Sequence, residues 1–201
     1  MTHKLSDYSN YHDRRFQDLS LQGVSLAGSE FHDCQFEACS FAEGVFQACR
    51  FVDCAFQECD LSLVQIPGSL FSVTRFTDSR VIGVDWTQAD WSGVSLGKPI
   101  AFERCAISHS TFIGLKLTGI HIKECVAADV DFREADLTNA DFSGSDLGQS
   151  LFLNTNLSEA DLSTARNYHI APEHNVLKGA RFSLPEAMSL LFNMDIVLVE
   201  A

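Results

Sequence analysis

From Phe16 onward a bulky apolar residue recurs at every fifth position, through Leu21, Leu26, Phe31, Phe36, Phe41, Phe46, Phe51, Phe56, Leu61, Ile66, Phe71, Phe76, Val81, Trp86 and Trp91 to Leu96. One extra residue follows, and the series resumes in shifted phase at Phe102, Ile107, Phe112, Leu117 and Ile122, running on to Leu162 with Ala127 as its one small member. Two residues before most of these centres stands a small side chain: Ser, Thr, Ala, Gly or Cys. The three remaining positions of each five are left for solvent.

A period of five restricts the fold. Five residues of α-helix turn through about 500°, so successive centres would lie about 140° apart and spiral around the helix instead of forming a stripe. In a straight strand an odd step reverses the face, although a centre and the small residue two before it point the same way. The chain must therefore turn a corner once per repeat to keep every centre inside. Short extended pieces joined by corners wind into a solenoid whose axis is filled by stacked centres.

The stretches Ala135-Asp136-Leu137-Thr138-Asn139, Ala140-Asp141-Phe142-Ser143-Gly144 and Ala160-Asp161-Leu162-Ser163-Thr164 resemble the pentapeptide-repeat consensus of alanine, aspartate or asparagine, leucine and two free positions. That resemblance implies an all-β fold, the right-handed quadrilateral β-helix with four repeats per coil. About 150 residues then make about 7.5 coils, roughly 36 Å long at a strand spacing of about 4.8 Å. Residues 1–15 read as an N-terminal cap, 16–166 as the β-helix with a phase slip at 97–101, and 167–201 as a C-terminal capping and dimerisation segment.

The interruption and the ends carry their own signals. Gly97-Lys98-Pro99-Ile100-Ala101 adds one residue to the period and predicts a bulge or kink, either tolerated at a corner or shaped to a partner. Ser183-Leu184-Pro185-Glu186 has the spacing of a capping box, with Ala187, Leu190, Leu191 and Met194 following at helical spacing and Ile196-Val197-Leu198-Val199 reading as a short strand. Such a helix and strand serve as a lid, and their apolar side chains also suit a twofold interface. The gyrase-protecting members of the family dimerise through a C-terminal cap, and the resemblance implies a homodimer interface of Leu184, Met188, Leu191, Phe192, Ile196 and Leu198.

Composition sharpens this picture. Of the 201 residues 14 are Lys or Arg and 27 are Asp or Glu, a formal net charge of −13, which excludes a nucleic-acid binder working through a basic surface. No apolar run approaches the roughly 18 residues of a membrane span and the N-terminal stretch lacks a leader pattern, so a cytoplasmic protein without membrane contact is expected. All seven cysteines occupy the small inward position, and their spacing does not match zinc-binding pairs, so they are expected to pack as small hydrophobes. With no phosphate-binding glycine loop, nucleophile elbow or paired-histidine zinc motif, no enzyme, cofactor or metal centre is expected.

The acids are unevenly placed. Glu30 to Asp60 holds seven acids against Arg50, a net of −6, and Glu124 to Ala165 holds nine against Arg133, a net of −8, while Leu61 to Lys123 is +2. With 20 residues per coil Asp13, Asp33 and Asp53 should form one column, and Glu58 and Asp78 part of another. Like charges stacked at about 5 Å are unfavourable, so stability alone gives little reason to align them. Against that, Asp131, Asp136, Asp141 and Asp146 sit where the consensus itself favours an acid, and a charge run is usually a solvated face.

The overall pattern resembles the MfpA, Qnr and McbG group, with an albicidin-immunity type as a closer resemblance. That group binds DNA gyrase or topoisomerase IV and protects it from inhibitors. The resemblance implies DNA mimicry, with Asp33, Asp53, Asp131, Asp136, Asp141, Asp146 and Asp161 as the candidate topoisomerase-facing surface. Many Qnr proteins carry long loops, whereas here the spacing shows only the one-residue slip and Pro67-Gly68. The alternative is a rigid scaffold or adaptor that does not bind a topoisomerase.

Overall fold

Most centres turn inward and stack on the centre one coil later, 20 residues on in all coils but one. The computed structural model describes residues 5–92, 100–192, 194 and 196. They form a parallel-strand β-solenoid of about eight coils. Four ladders define its faces. Face one pairs Arg15–Gln17, Gln35–Glu37, Ala55–Gln57, Arg75–Thr77, Ala101–Glu103 and His121–Lys123 in one six-stranded parallel sheet. Face two is a column of single bridges from Ser20 through Ser40, Asp60, Arg80, Ala106, Val126 and Asp146 to Arg166. Face three begins with Ser25–Ala27 on Val45–Gln47, and face four with Asn10–His12, Glu30–His32, Arg50–Val52 and Leu70–Ser72.

The interior is a set of ring stacks. On face one Phe16, Phe36, Phe56, Phe76 and Phe102 follow at centroid separations of 5.0, 4.5, 5.0 and 5.1 Å. On face four Tyr11, Phe31, Phe51 and Phe71 stack at 4.9 Å throughout. Rings of neighbouring faces meet edge-on, as Phe36 meets Phe51 at 6.2 Å and 65°. Each buried Phe contributes on the order of 1.5–3 kcal/mol by removal from water, with a smaller addition for each well-placed ring pair.

The small inward residue has a second task besides fitting. The Ser69 hydroxyl donates to the Phe46 carbonyl at 2.6 Å and accepts from the Cys49 N–H at 2.9 Å, tying two coils together. Ser145 repeats this with Ile122 and Cys125. Cysteine substitutes for serine here: the Cys54 thiol donates to the Phe31 carbonyl at 3.4 Å and that of Cys59 to Phe36 at 3.4 Å. All seven thiols are free and buried, and burial pushes that of Cys54 up to about 12.

The corners are left-handed. Two residues after most centres φ is near +50 to +70°, at Asp13, Asp33, Asp53, Glu58, Asn139 and many others as well as at glycines. Asp and Asn tolerate this conformation better than most side chains. Glycine is needed at position 28, because the Tyr8 ring of the previous coil lies 2.6 Å from where a Cβ would stand.

Three expectations need correction. The coil starts before Phe16: Asn10–His12 is a paired strand and Tyr11 a stacked centre, so a cap ending at residue 15 is too long. The interruption is larger than one residue, since Phe76 pairs with Phe102 and Arg80 with Ala106, making that coil 26 residues instead of 20. The surplus falls between Asp90, whose N–H still bonds the Ser69 carbonyl, and Ala101, whose N–H bonds that of Thr74. Five of the six surplus residues imitate a repeat, which is why the spacing conceals them; Leu96 lies outside the described residues.

The third correction concerns the C-terminus. The ladder continues to Arg181–Phe182, paired with Asp161–Leu162. The capping box does not form: the Ser183 hydroxyl donates to the Ser163 carbonyl, and the Glu186 carboxylate accepts the Asn167 N–H at 2.5 Å. Among the described residues one short α-helix, α1, spans Met188–Phe192. Positions 197–199 of the expected strand lie outside the described residues.

Candidate functional site

The seven candidate acids do not share a face, because consecutive repeats occupy consecutive faces. Asp131 lies on face three, Asp136 on face four, Asp141 and Asp161 on face one, and Asp146 on face two. All five stand just before a centre and close their own turn. Asp131, Asp136, Asp141, Asp146 and Asp161 accept from the N–H two residues on at 3.1, 3.2, 3.0, 3.2 and 2.9 Å. This side-chain turn replaces a backbone one, the usual use of Asp in turns.

Four of these five also have cations. Asp131 pairs with Arg133 at 2.7 Å, Asp141 with Lys123 at 3.2 Å, Asp146 with Arg166 at 3.3 Å and Asp161 with Arg181 at 3.2 Å. The hydrogen bond from Arg133 holds the Asp131 carboxyl below the ordinary carboxylate range. Asp136 instead binds the hydroxyl of Thr138 and the amide of Asn156. The five C-terminal acids that precede a centre are therefore engaged within the fold, while Glu124, Glu134 and Glu159 stand exposed at left-handed corners.

Asp33 and Asp53 are different. With Asp13 they form the expected column, at the left-handed corner between faces four and one, where their N–H groups bond the carbonyls of His32, Val52 and Ser72 at 3.1, 3.0 and 3.0 Å. Their side chains are exposed. Among the described residues no cation comes within ion-pairing distance of the three. The opposite border of face one carries Asp18, Glu58 and Asp78 at equivalent corners, with Ala38 between the first two. Asp78 pairs with Arg104 at 2.7 Å, and Arg15 pairs with Glu37 across coils on the face itself.

The N-terminal half of face one is thus bordered on one side by the acidic rail Asp13, Asp33 and Asp53 and on the other by a broken row in which Asp18 and Glu58 keep their charge. Asp18 belongs to that broken row and was not among the candidates; its position two after a centre and 40 residues before Glu58 was the available signal. The arrangement offers no nucleophile or general base in a cleft, and among the described residues no His, Cys, Asp and Glu group has the geometry to hold a metal ion. What it can do is present fixed negative charge at regular spacing to a basic surface.

At the other end Leu184 and Phe192 are 76% and 67% exposed, and Ile196 is also exposed. Met188 and Leu191 are half-buried on the lid, and Leu198 lies outside the described residues. No described helix is long and apolar enough to cross a membrane.

Comparison with known proteins adds the family. The model of the pentapeptide repeat region matches residues 29–99 and 98–162. Nothing among the curated proteins matches the sequence. Among solved structures, a trypsin-treated variant of QnrB1, a plasmid-mediated fluoroquinolone resistance protein, is similar at 19% identity and a TM-score of 0.66, covering 95% of this chain and 92% of that one. Full-length QnrB1 is 16% identical with a TM-score of 0.57, over 93% of this chain and 100% of that one. HetL from Nostoc sp. strain PCC 7120, involved in heterocyst differentiation regulation, is 16% identical with a TM-score of 0.57, over 89% and 88%.

Proposed function

The chain belongs to the pentapeptide-repeat family, and on that premise we propose that it binds a type II topoisomerase, DNA gyrase or topoisomerase IV, as a mimic of duplex DNA and so protects the enzyme from a poison. The observation that carries this reading is the acidic rail of Asp13, Asp33 and Asp53 along face one. Over its three successive coils this rail holds one charge per about 4.8 Å, against one per about 3.4 Å along a DNA strand. A basic saddle built for DNA meets a comparable charge density on a narrow rod. No catalysis is involved, and the protein acts as a cytoplasmic homodimer joined through the C-terminal segment. Likeness to the QnrB1 fold supports this choice of partner.

The test is a gyrase supercoiling assay with a fluoroquinolone and, separately, albicidin as poison. Wild type should inhibit supercoiling at high dose, restore it in the presence of one poison, and bind gyrase less tightly as salt rises. Asn at Asp13, Asp33 and Asp53 should remove these effects, whereas Asn at Asp131 and Asp146 should not. Absence of inhibition, protection and salt-dependent binding in the wild type would end the proposal. The HetL-like fold favours a second reading, a scaffold that presents a side surface; it would be preferred if only Arg75 and Arg80 variants lost the phenotype.

A further inference from the structure

Two imidazoles stand beside the unpaired acidic column. His12 and His32 follow the centres Tyr11 and Phe31 on face four, in register in successive coils, and their rings stack at 4.9 Å and 12°. Each is followed directly by a column acid, Asp13 or Asp33. His32 Nε2 lies 3.3 Å from Glu30 Oε2. Asn10, Glu30 and Arg50 form the ladder on the near side of the centres, Val52 is the partner of His32 in the next coil, and Arg14 follows the first corner. Parallel rings one coil apart do not aim their nitrogens at a common point, which disfavours chelation and leaves protonation as their chemistry.

We propose that protonation of the stacked His12–His32 pair tunes the acidic rail, so that the affinity of the rod for a cationic partner falls as pH drops from 8 to 5.5. The inference rests on the reading that this rail docks on a basic surface. At pH 8 the local set of Asp13, Asp33, Asp53 and Glu30 against Arg14 and Arg50 carries a net −2, and each imidazolium formed offsets one unit of it. Histidine is the side chain whose charge ordinarily changes in this window, while ordinary carboxylates titrate near pH 4. A cationic partner opposes protonation, so binding expels protons and is tighter at the higher pH. Charges about 5–10 Å away in screened water suggest a fall of about threefold to tenfold.

The experiment uses the full chain with fluorescent octalysine as probe, read by anisotropy at low salt between pH 8 and 5.5. The wild type should lose affinity by that factor. The His12→Gln/His32→Gln variant should match it at pH 8 and stay flat, each single variant should keep about half the response, and His109→Gln/His121→Gln should behave as wild type. A flat wild type, or a double variant that falls as the wild type does, would overturn the proposal. Gyrase binding measured in parallel separates the two readings. A pH response to octalysine without gyrase binding removes the topoisomerase assignment only, and gyrase binding with a flat octalysine response removes the switch only.

Discussion

Replacing Asp13, Asp33 and Asp53 together by Asn should make the protein more stable and less active. The three carboxylates are exposed, without cations among the described residues, and one coil apart. Two unit charges about 4.8 Å apart in water repel by about 0.9 kcal/mol, and side-chain freedom with ordinary salt reduces this to about half. Two adjacent pairs are relieved, 13 with 33 and 33 with 53, for a gain of about 1 kcal/mol. Asn accepts the left-handed corner as readily as Asp, so no backbone strain opposes the gain. Urea unfolding at low salt, followed by circular dichroism, measures it, and the difference should shrink in 0.5 M NaCl. Gyrase binding by the same variant should fall and lose most of its salt dependence. A variant destabilised by more than about 1 kcal/mol would show that the column is structural, and unchanged gyrase binding would show that it is not the docking rail.

Other outcomes follow from the same geometry. Phe36→Ala, which removes a ring 1% exposed and stacked between Phe16 and Phe56, should cost about 3–5 kcal/mol in unfolding experiments. The seven buried thiols should resist iodoacetamide at pH 8 and react fully in denaturant, because burial denies the reagent access to them. Asp131→Asn should flatten part of the acid-unfolding curve: the depressed carboxyl contributes stability that is present above about pH 4 and lost as pH falls through its folded value, so the variant is weaker at pH 7 and nearly equal to wild type near pH 2. Aspartate at Leu191 and Phe192 should leave a folded monomer by analytical sedimentation, and an unchanged sedimentation coefficient would remove these two from any interface.

The period of five was sufficient to establish a solenoid, its inward centres and the small inward position. Sterics allow no other regular path that keeps residues five apart on one axis, and each local choice, Phe36 or Cys54 as much as Leu137, agrees with the coil. The 20-residue column of Asp13, Asp33 and Asp53 was legible for the same reason. Tertiary structure decided which acids remain available. A sequence shows Asp131 and Asp33 as equal charges, but one precedes a centre and bends back onto its own turn with Arg133, while the other stands at a left-handed corner facing water. The 26-residue coil was also hidden, because a surplus of five preserves the pattern and only the pairing of Phe76 with Phe102 counts the residues between them. Periodicity records the direction in which a side chain leaves the backbone; which coil it reaches, and whether its charge is already spent there, depends on contacts 20 or more residues away.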